Sequence, residues 1–453
     1  MYSINPNYVN YSTTAVMPNR PDNRPKKAES TPFAASLMQV PAVPPYIRTQ
    51  LSSKEEKEQY NALLNSVDKQ SRKSLETMLK TGTLLNAESN DHSTVLANLY
   101  KIASTPRAEG LKNDIILRDT IAAIADPYVI NQEFGDVPAP YAAKTTAAYN
   151  ELKKTALTNV PEDVANVHSG TCVASSVEFT LAQRQPAEYA RFAEGLSSPA
   201  VAVNKTIKFS NLADSTLDAV WLLNAFEIPF EAHDFENINL KFAPDKNALL
   251  RAQIQTTHKD PLERSAVDAL MQSTFMQVGS QQSYDSLTDK RAGKFNQNDK
   301  GLIEFEKTFT ESVVEDKNKI SVTYQKVDEN ARLTGYEADF ATMKKQIIAA
   351  LNMHENVIIG YTLVDANNKI INGHEITITG VRQDKQGKLI FICNDTDDNL
   401  AKPVEYSEDW LLPKIHHAAL PKAVLEKDMN MTENWVEGMK NYKEMKSKTR
   451  KAA

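Results

Sequence analysis

Apolar residues recur at helical spacing through the first third of the chain. Tyr60, Leu63, Leu64 and Val67 form one stripe, and the run Ser53-Lys-Glu-Glu56 ahead of them carries the hydroxyl and carboxylate of a capping box. Similar stripes occupy Ser74–Lys80, Ser93–Ile102 and Ile115–Ile124, so 51–165 is expected to be a helical subdomain. Residues 1–50 are different. They carry many Pro, Asn, Ser and Thr, few large apolar side chains, and a closing cluster of Pro41, Pro44 and Pro45. Too little surface could be buried there to offset the entropy of ordering, which predicts a disordered segment.

A helix with another character begins at Cys172. Val173, Val177 and Leu181 stand four apart, and Ala174, Ser175 and Ser176 fill the space between the first two. Small residues let neighbouring elements approach closely, as a buried central helix requires. A further helix is expected over Ser215–Phe226, ending near Pro229, and another over Leu262–Gln277. Residues 281–300 are polar and loop-like, and Ile320–Val327 alternates as a half-buried strand does.

Towards the end, helix and strand signals follow one another. Tyr336–Asn352 is expected to be an amphipathic helix with Phe340, Met343, Ile347 and Leu351 on one face. Val357–Val364 has the β-branched content of a strand, turned by Asp365–Asn368. Ile376–Thr379 and Lys388–Cys393 form a hairpin around Asp384-Lys-Gln-Gly387. After about 421 the chain becomes a charged tail, with five Lys and one Arg between 440 and 451.

Composition narrows the function classes. At 453 residues and 41% apolar, the chain can build a sizeable core, and there is room for two or three domains. A net charge of −6 gives no global attraction to nucleic acid or an anionic membrane. No run approaches the length of a membrane span, so none is expected. The polar, turn-rich Met1–Tyr8 lacks the features of a cleaved secretory signal. The expected location is the cytoplasm, or outside it by a route that uses no cleaved signal peptide. Two cysteines, Cys172 and Cys393, argue against a disulfide framework. There is no His-Glu-x-x-His, no Cys-x-x-Cys pair and no glycine-rich phosphate loop, so neither metal nor nucleotide cofactor is expected.

Cys172 carries the candidate chemistry. Ser169-Gly-Thr171 leads directly into it, at a helix start. A cysteine attacks as thiolate, and both a helix N-terminus and a neighbouring imidazolium favour that form. The imidazole candidate is His374, in Asn372-Gly-His374, at the head of the hairpin. The hairpin's second strand ends in Asn394-Asp395, so antiparallel pairing brings either residue towards His374 as the group that orients its ring. The Cys172 backbone N–H and the Asn166 side chain are candidate donors to an oxyanion. Cys393 is expected in the core. Asn394-Asp395 also suits a plain turn after a strand.

The order Asn166, Gly170-Thr-Cys172, helix, strand, Gly373-His374, hairpin, Asn394 resembles that of the papain-like cysteine peptidases, over 166–235 and 336–415. The resemblance implies an α+β, two-lobed fold, with the thiol on a central helix facing a His on an antiparallel β-sheet. The helical subdomain would precede a peptidase domain over 166–420, interrupted by an insertion around 236–335. It also implies a protein or peptide substrate and a Cys172–His374–Asn394/Asp395 mechanism through an acyl-enzyme, with Asn166 at the oxyanion.

This chain departs from the family pattern in several places. Asn166 stands where the family has Gln, Val173 where an aromatic is usual, and Asn394-Asp-Thr396 where many members have Asn-Ser-Trp. The last change predicts that the aromatic cover over the ring and its partner is missing. Some bacterial relatives use Asp as the third residue, which keeps Asp395 in play. Cys172 and His374 are 202 residues apart, against roughly 130–150 in papain-type enzymes. Two other readings fit the same residues: a transglutaminase-like acyl transferase, which favours Asp395, and an inactive papain-like fold used as a binding module. Sequence leaves the oligomeric state open.

Overall fold

The computed structural model describes residues 47–135, 138–155, 169–257, 263–291, 301–397, 401–425, 439–440 and 443–444. The disorder expected over 1–50 therefore falls outside the described residues except for its last four positions. The same is true of most of the charged stretch after 421. The structure is mixed α+β with antiparallel sheets.

The four helical stripes of the first third become α1 (Lys54–Ser66), α2 (Lys69–Thr81), α3 (Val95–Ser104) and α4 (Asn113–Ala125), and α5 (Ala139–Thr155) follows them without a stripe having marked it. At the head of α1, the Ser53 side chain accepts the Glu56 N–H and the Glu56 carboxylate accepts the Ser53 N–H, completing the capping box. Ser53→Ala is expected to lower stability by about 1 kcal/mol, read as a shift in the urea midpoint. An unchanged midpoint would remove the cap from the account of this helix.

The next elements are α6 (Cys172–Arg184), α7 (Pro186–Ser197), β1 (Val203–Lys208), α8 (Thr216–Ala225), β2 (Phe230–Ala232), β3 (Asn237–Phe242), α9 (Ala248–Gln255) and α10 (Ala266–Gly279). Strands β1, β3 and β2 pair antiparallel in that order. Residues from α1–α4 share one apolar core with α6, α7, α10 and α11 (Glu304–Glu315). Every residue from Cys172 to Ala182 is buried, as the small side chains of this helix predict.

Several segments differ from the sequence expectation. Ile320–Val327, expected as one strand, is divided between Lys319–Thr323 and Gln325–Val327, which pair in different sheets. Within the polar stretch 281–300, β4 (Tyr284–Asp285) pairs with β5 (Lys290–Arg291) in a short hairpin, and 292–300 lies outside the described residues. Helix α11, which no sequence expectation covered, repeats Phe305, Phe309 and Val313 every four residues, yet all twelve of its residues are buried, charged ones included.

The second sheet has six strands: β6 (Lys319–Thr323), β9 (Val357–Val364), β10 (Ile370–Gln383), β11 (Leu389–Asn394), β12 (Val404–Ser407) and β13 (Ile415–Pro421). Their order is β12-β11-β10-β9-β13-β6, every neighbouring pair antiparallel. A separate pair joins Gln325–Val327 to Leu333–Tyr336. Both faces of the large sheet are covered. Ile358 packs into the helical core, whereas Val357 and Ile359 pack with Met343, Ile347 and Ala350 of the helix Phe340–Asn352. Covering on both sides explains why Val357–Tyr361 is apolar without alternation. Phe340, expected on the packed face of that helix, is its first residue and is exposed.

Part of the stretch after 421 touches the body of the protein. Met439 is buried in the helical core, Lys440 pairs with Asp218 at 2.8 Å, and the Lys443 ammonium donates to the Ala225 carbonyl at 2.6 Å.

Candidate functional site

The elements above bring Cys172, His374 and Asp395 together. Cys172 opens α6, so its backbone N–H has no acceptor within the helix. His374 lies in β10, opposite Tyr361 of β9. Its Nε2 is 2.8 Å from Asp395 Oδ1, and the Cys172 side chain is in hydrogen-bonding contact with the same ring. With Nε2 occupied by Asp395, Nδ1 is the nitrogen left for the thiol. Cys172 and His374 are 6% and 8% exposed, so both are sheltered without being sealed from solvent.

Strand geometry decides between Asn394 and Asp395. Thr377 of β10 pairs with Asn394 of β11, so their side chains share a face. His374 is three residues from Thr377 and lies on the opposite face, because successive side chains alternate. Asp395, the next residue after Asn394, points with His374. Asn394 is buried, and its Nδ2 has no hydrogen-bond partner among the described residues. Asn166, and with it the candidate oxyanion amide, lies outside the described residues.

Asp395 is itself held. Its Oδ1 also accepts the Asp397 N–H at 3.2 Å, and Oδ2 accepts the Tyr406 hydroxyl at 3.2 Å. The aromatic cover that Asn394-Asp-Thr396 predicts to be missing is supplied from elsewhere. Tyr361 meets the His374 ring edge-on at 5.7 Å, Trp410 contacts Tyr361 at 5.8 Å, and Trp410 stacks on Tyr406 at 4.6 Å. These aromatics come from β9, β12 and the turn that follows it, not from the residue after the acid. Sequence spacing around Asp395 therefore carried no sign of them.

Charge in the site follows from these contacts. Burial alone would push the His374 imidazole down. The Asp395 charge, then Tyr361, the Asp395 hydrogen bond and Cys172 outweigh burial and hold it well above its usual value of 6.5. The ring's contribution to stability is complete below the unfolded-state value and is lost as pH rises through the raised folded-state value. Any turnover that needs the acid form of the ring loses activity over the same upper range. Asp395→Asn removes the charge, so this alkaline limb is expected to move to lower pH; a pH–rate profile with an unmoved limb would contradict the assignment.

Cys393 is of the other kind. It is fully buried in the sheet core, and burial, with the nearby Asp395 charge, pushes its thiol well above the ordinary range.

The turn that presents Cys172 is gripped from behind by residues that sequence reasoning missed. Asp289 accepts the Gly170 N–H at 2.6 Å, the Ser169 hydroxyl at 3.0 Å and the Tyr284 hydroxyl at 2.9 Å. Arg264 donates to Ser169 Oγ at 3.0 Å, Thr171 Oγ1 at 2.5 Å and the Gln132 carbonyl at 2.5 Å. Both Arg264 and Asp289 belong to the stretch expected as an insertion.

Gln132 links the two sides of the site. Its Nε2 donates to the Ser169 carbonyl at 3.0 Å, and its Oε1 accepts the Thr396 hydroxyl at 2.8 Å. Thr396 Oγ1 is also 2.7 Å from Ser175 Oγ of α6. Beside it, burial and the charge of Asp397 push the Glu133 carboxyl up to about 9, and the two acids share a hydrogen bond. These residues lie tens to hundreds of positions from Cys172 and form no motif with it.

No family model, no curated protein and no solved structure matches this chain.

Proposed function

We propose that this chain is a cysteine-dependent hydrolase of peptide or isopeptide bonds, with a papain-like, two-lobed arrangement of helix-borne thiol and sheet-borne imidazole. The observation that carries this reading is the continuous contact Cys172–His374–Asp395, with the buried Asp395 carboxylate set against Nε2 of the ring. Cys172 is the nucleophile, His374 the acid and base, and Asp395 the residue that orients the ring.

The steps follow from those roles. The Cys172 thiolate attacks the substrate carbonyl, and the carbonyl electron pair moves onto oxygen. The Cys172 N–H, at the positive end of α6, stabilises that oxyanion. Asn166 is the proposed second donor. Collapse breaks the C–N bond, and the leaving nitrogen takes the proton from the His374 imidazolium. The neutral ring then removes a proton from water, the hydroxide attacks the thioester, and collapse releases the acid and restores the thiolate and the imidazolium.

An epoxysuccinyl or iodoacetamide probe tests the reading. It is expected to label Cys172 in the folded chain and to leave Cys393 unmodified, as located by peptide mass. Absence of label on Cys172 would favour the binding-module reading and overturn this one.

The pairing of His374 with Asp395, not Asn394, favours one second reading, a transglutaminase-like acyl transfer. Incorporation of a primary amine into a protein substrate faster than hydrolysis would decide for it.

A further inference from the structure

We propose that Glu304, His416 and His417 bind a divalent cation of the zinc class, which ties α11 to the large sheet. The proposal is independent of the cysteine chemistry.

Each of the three residues is buried, and each offers one ligand atom within 4.8 Å of the others. They come from two elements. Glu304 is the first residue of α11, and His416 and His417 are consecutive in β13. Consecutive strand residues normally face opposite ways. Here the pairing of β13 with β9 slips between Ile415 and His417, and such a bulge re-aims a side chain. The outcome is that His416 Nδ1 and His417 Nδ1 lie 2.8 Å apart. Two imidazole nitrogens on a tetrahedral zinc are about 3.3 Å apart, given Zn–N bonds of about 2.0–2.1 Å. The pair needs to open by only about half an ångström to hold an ion.

The surroundings are built as a ligand set is. Glu304 Oε1 accepts the Ser321 hydroxyl at 2.5 Å and the Thr323 hydroxyl at 2.8 Å, and Oε2 is left without a hydrogen-bond partner. A carboxylate fixed through one oxygen with the other free is the usual state of a metal-ligating acid. His417 Nε2 lies 3.0 Å from Glu375 Oε1, though out of line for a straight hydrogen bond. That carboxylate behind the imidazole biases its Nδ1 towards lone-pair donation.

Space has been made for this pair. A Cβ on Gly360 would lie 2.3 Å from His417 Cε1 and 2.5 Å from Glu375 Oε1, so any larger residue there would displace one of these side chains. The charge balance also suits a cation. Glu375 is paired with an ammonium, Lys307, whose Nζ is 3.5 Å from its Oε2, whereas no such pair is found for Glu304 among the described residues. Two imidazoles and one carboxylate, buried, are donors suited to zinc rather than to calcium or magnesium.

The test uses the full chain carrying Cys172→Ala, so that the thiol of the candidate active site cannot hold the ion. After equilibration with zinc and exhaustive dialysis, about one zinc per chain is expected by elemental analysis, with a rise in Tm on adding zinc. His417→Ala and Glu304→Gln are expected to lose both. Zinc retained equally by the variants would overturn the proposal. So would no zinc and no Tm response, which would identify the His416–His417 contact as an ordinary N–H···N bond. Cobalt(II) added to the same chain, with the three ligands intact, gives a readout that does not depend on variants folding. Visible bands of a tetrahedral nitrogen–oxygen site support the assignment, and a spectrum matching aqueous cobalt refutes it.

Discussion

Asp395→Ala is expected to slow epoxysuccinyl labelling or peptide hydrolysis by about 10²–10⁴-fold, whereas Asn394→Ala leaves either rate within several-fold. The neighbouring residues differ because a strand alternates. Asn394 shares a face with Thr377, and Asp395 alone reaches the His374 ring, at 2.8 Å. Removing the carboxylate has two consequences. The ring loses the contact that fixes which nitrogen faces the thiol, and it loses the charge that holds its proton against burial. Asp395→Asn keeps the ring's orientation in part and is expected to fall between the wild type and Asp395→Ala. Cys172→Ala serves as the floor, with no labelling at that position. Comparable losses at 394 and 395, or none at 395, would break the proposed triad.

Asp289→Ala is expected to lower stability by about 3 kcal/mol or more and to slow Cys172 labelling as well. No part of Asp289 is proposed to touch substrate. Its two oxygens hold the Gly170 N–H and the hydroxyls of Ser169 and Tyr284, all buried. Truncation leaves the Gly170 N–H and the Tyr284 hydroxyl without acceptors, each worth about 1–3 kcal/mol when stranded in the interior, while the Ser169 hydroxyl keeps Thr171 Oγ1 at 3.0 Å. The backbone at Asp289 also has φ +53°, a left-handed conformation that Asp tolerates better than Ala. Because Gly170 and Thr171 lead directly into Cys172, a loosened turn misplaces the nucleophile. Asp289→Asn retains one of the two oxygens and should recover part of the stability. Urea unfolding followed beside the labelling rate reads both effects. A stable variant with slow labelling would separate the turn from the fold, and an unchanged midpoint would refute the clamp.

The sequence by itself determined much of this protein. Ser53 and Glu56 announced the first helix, the small residues after Cys172 announced a helix enclosed on all sides, and the period-two runs near the end announced the hairpin of β10 and β11. Gly-Thr-Cys172 was legible because a helix start leaves a local pattern, whereas Gly-His374, expected at a strand start, lies inside β10, which begins at Ile370. The choice of Asp395 over Asn394 belonged to the tertiary structure, since it depends on which residue of β10 stands opposite. So did the aromatic cover from Tyr361, Tyr406 and Trp410, the grip of Arg264 and Asp289 on the nucleophile turn, and the meeting of Glu304 with His416 and His417. The reason is physical. Periodicity and capping are set by residues three or four apart, whereas the buried carboxylates and guanidinium of this site are matched mainly to partners tens of positions away or more, and no short-range pattern records where the folded chain will bring them.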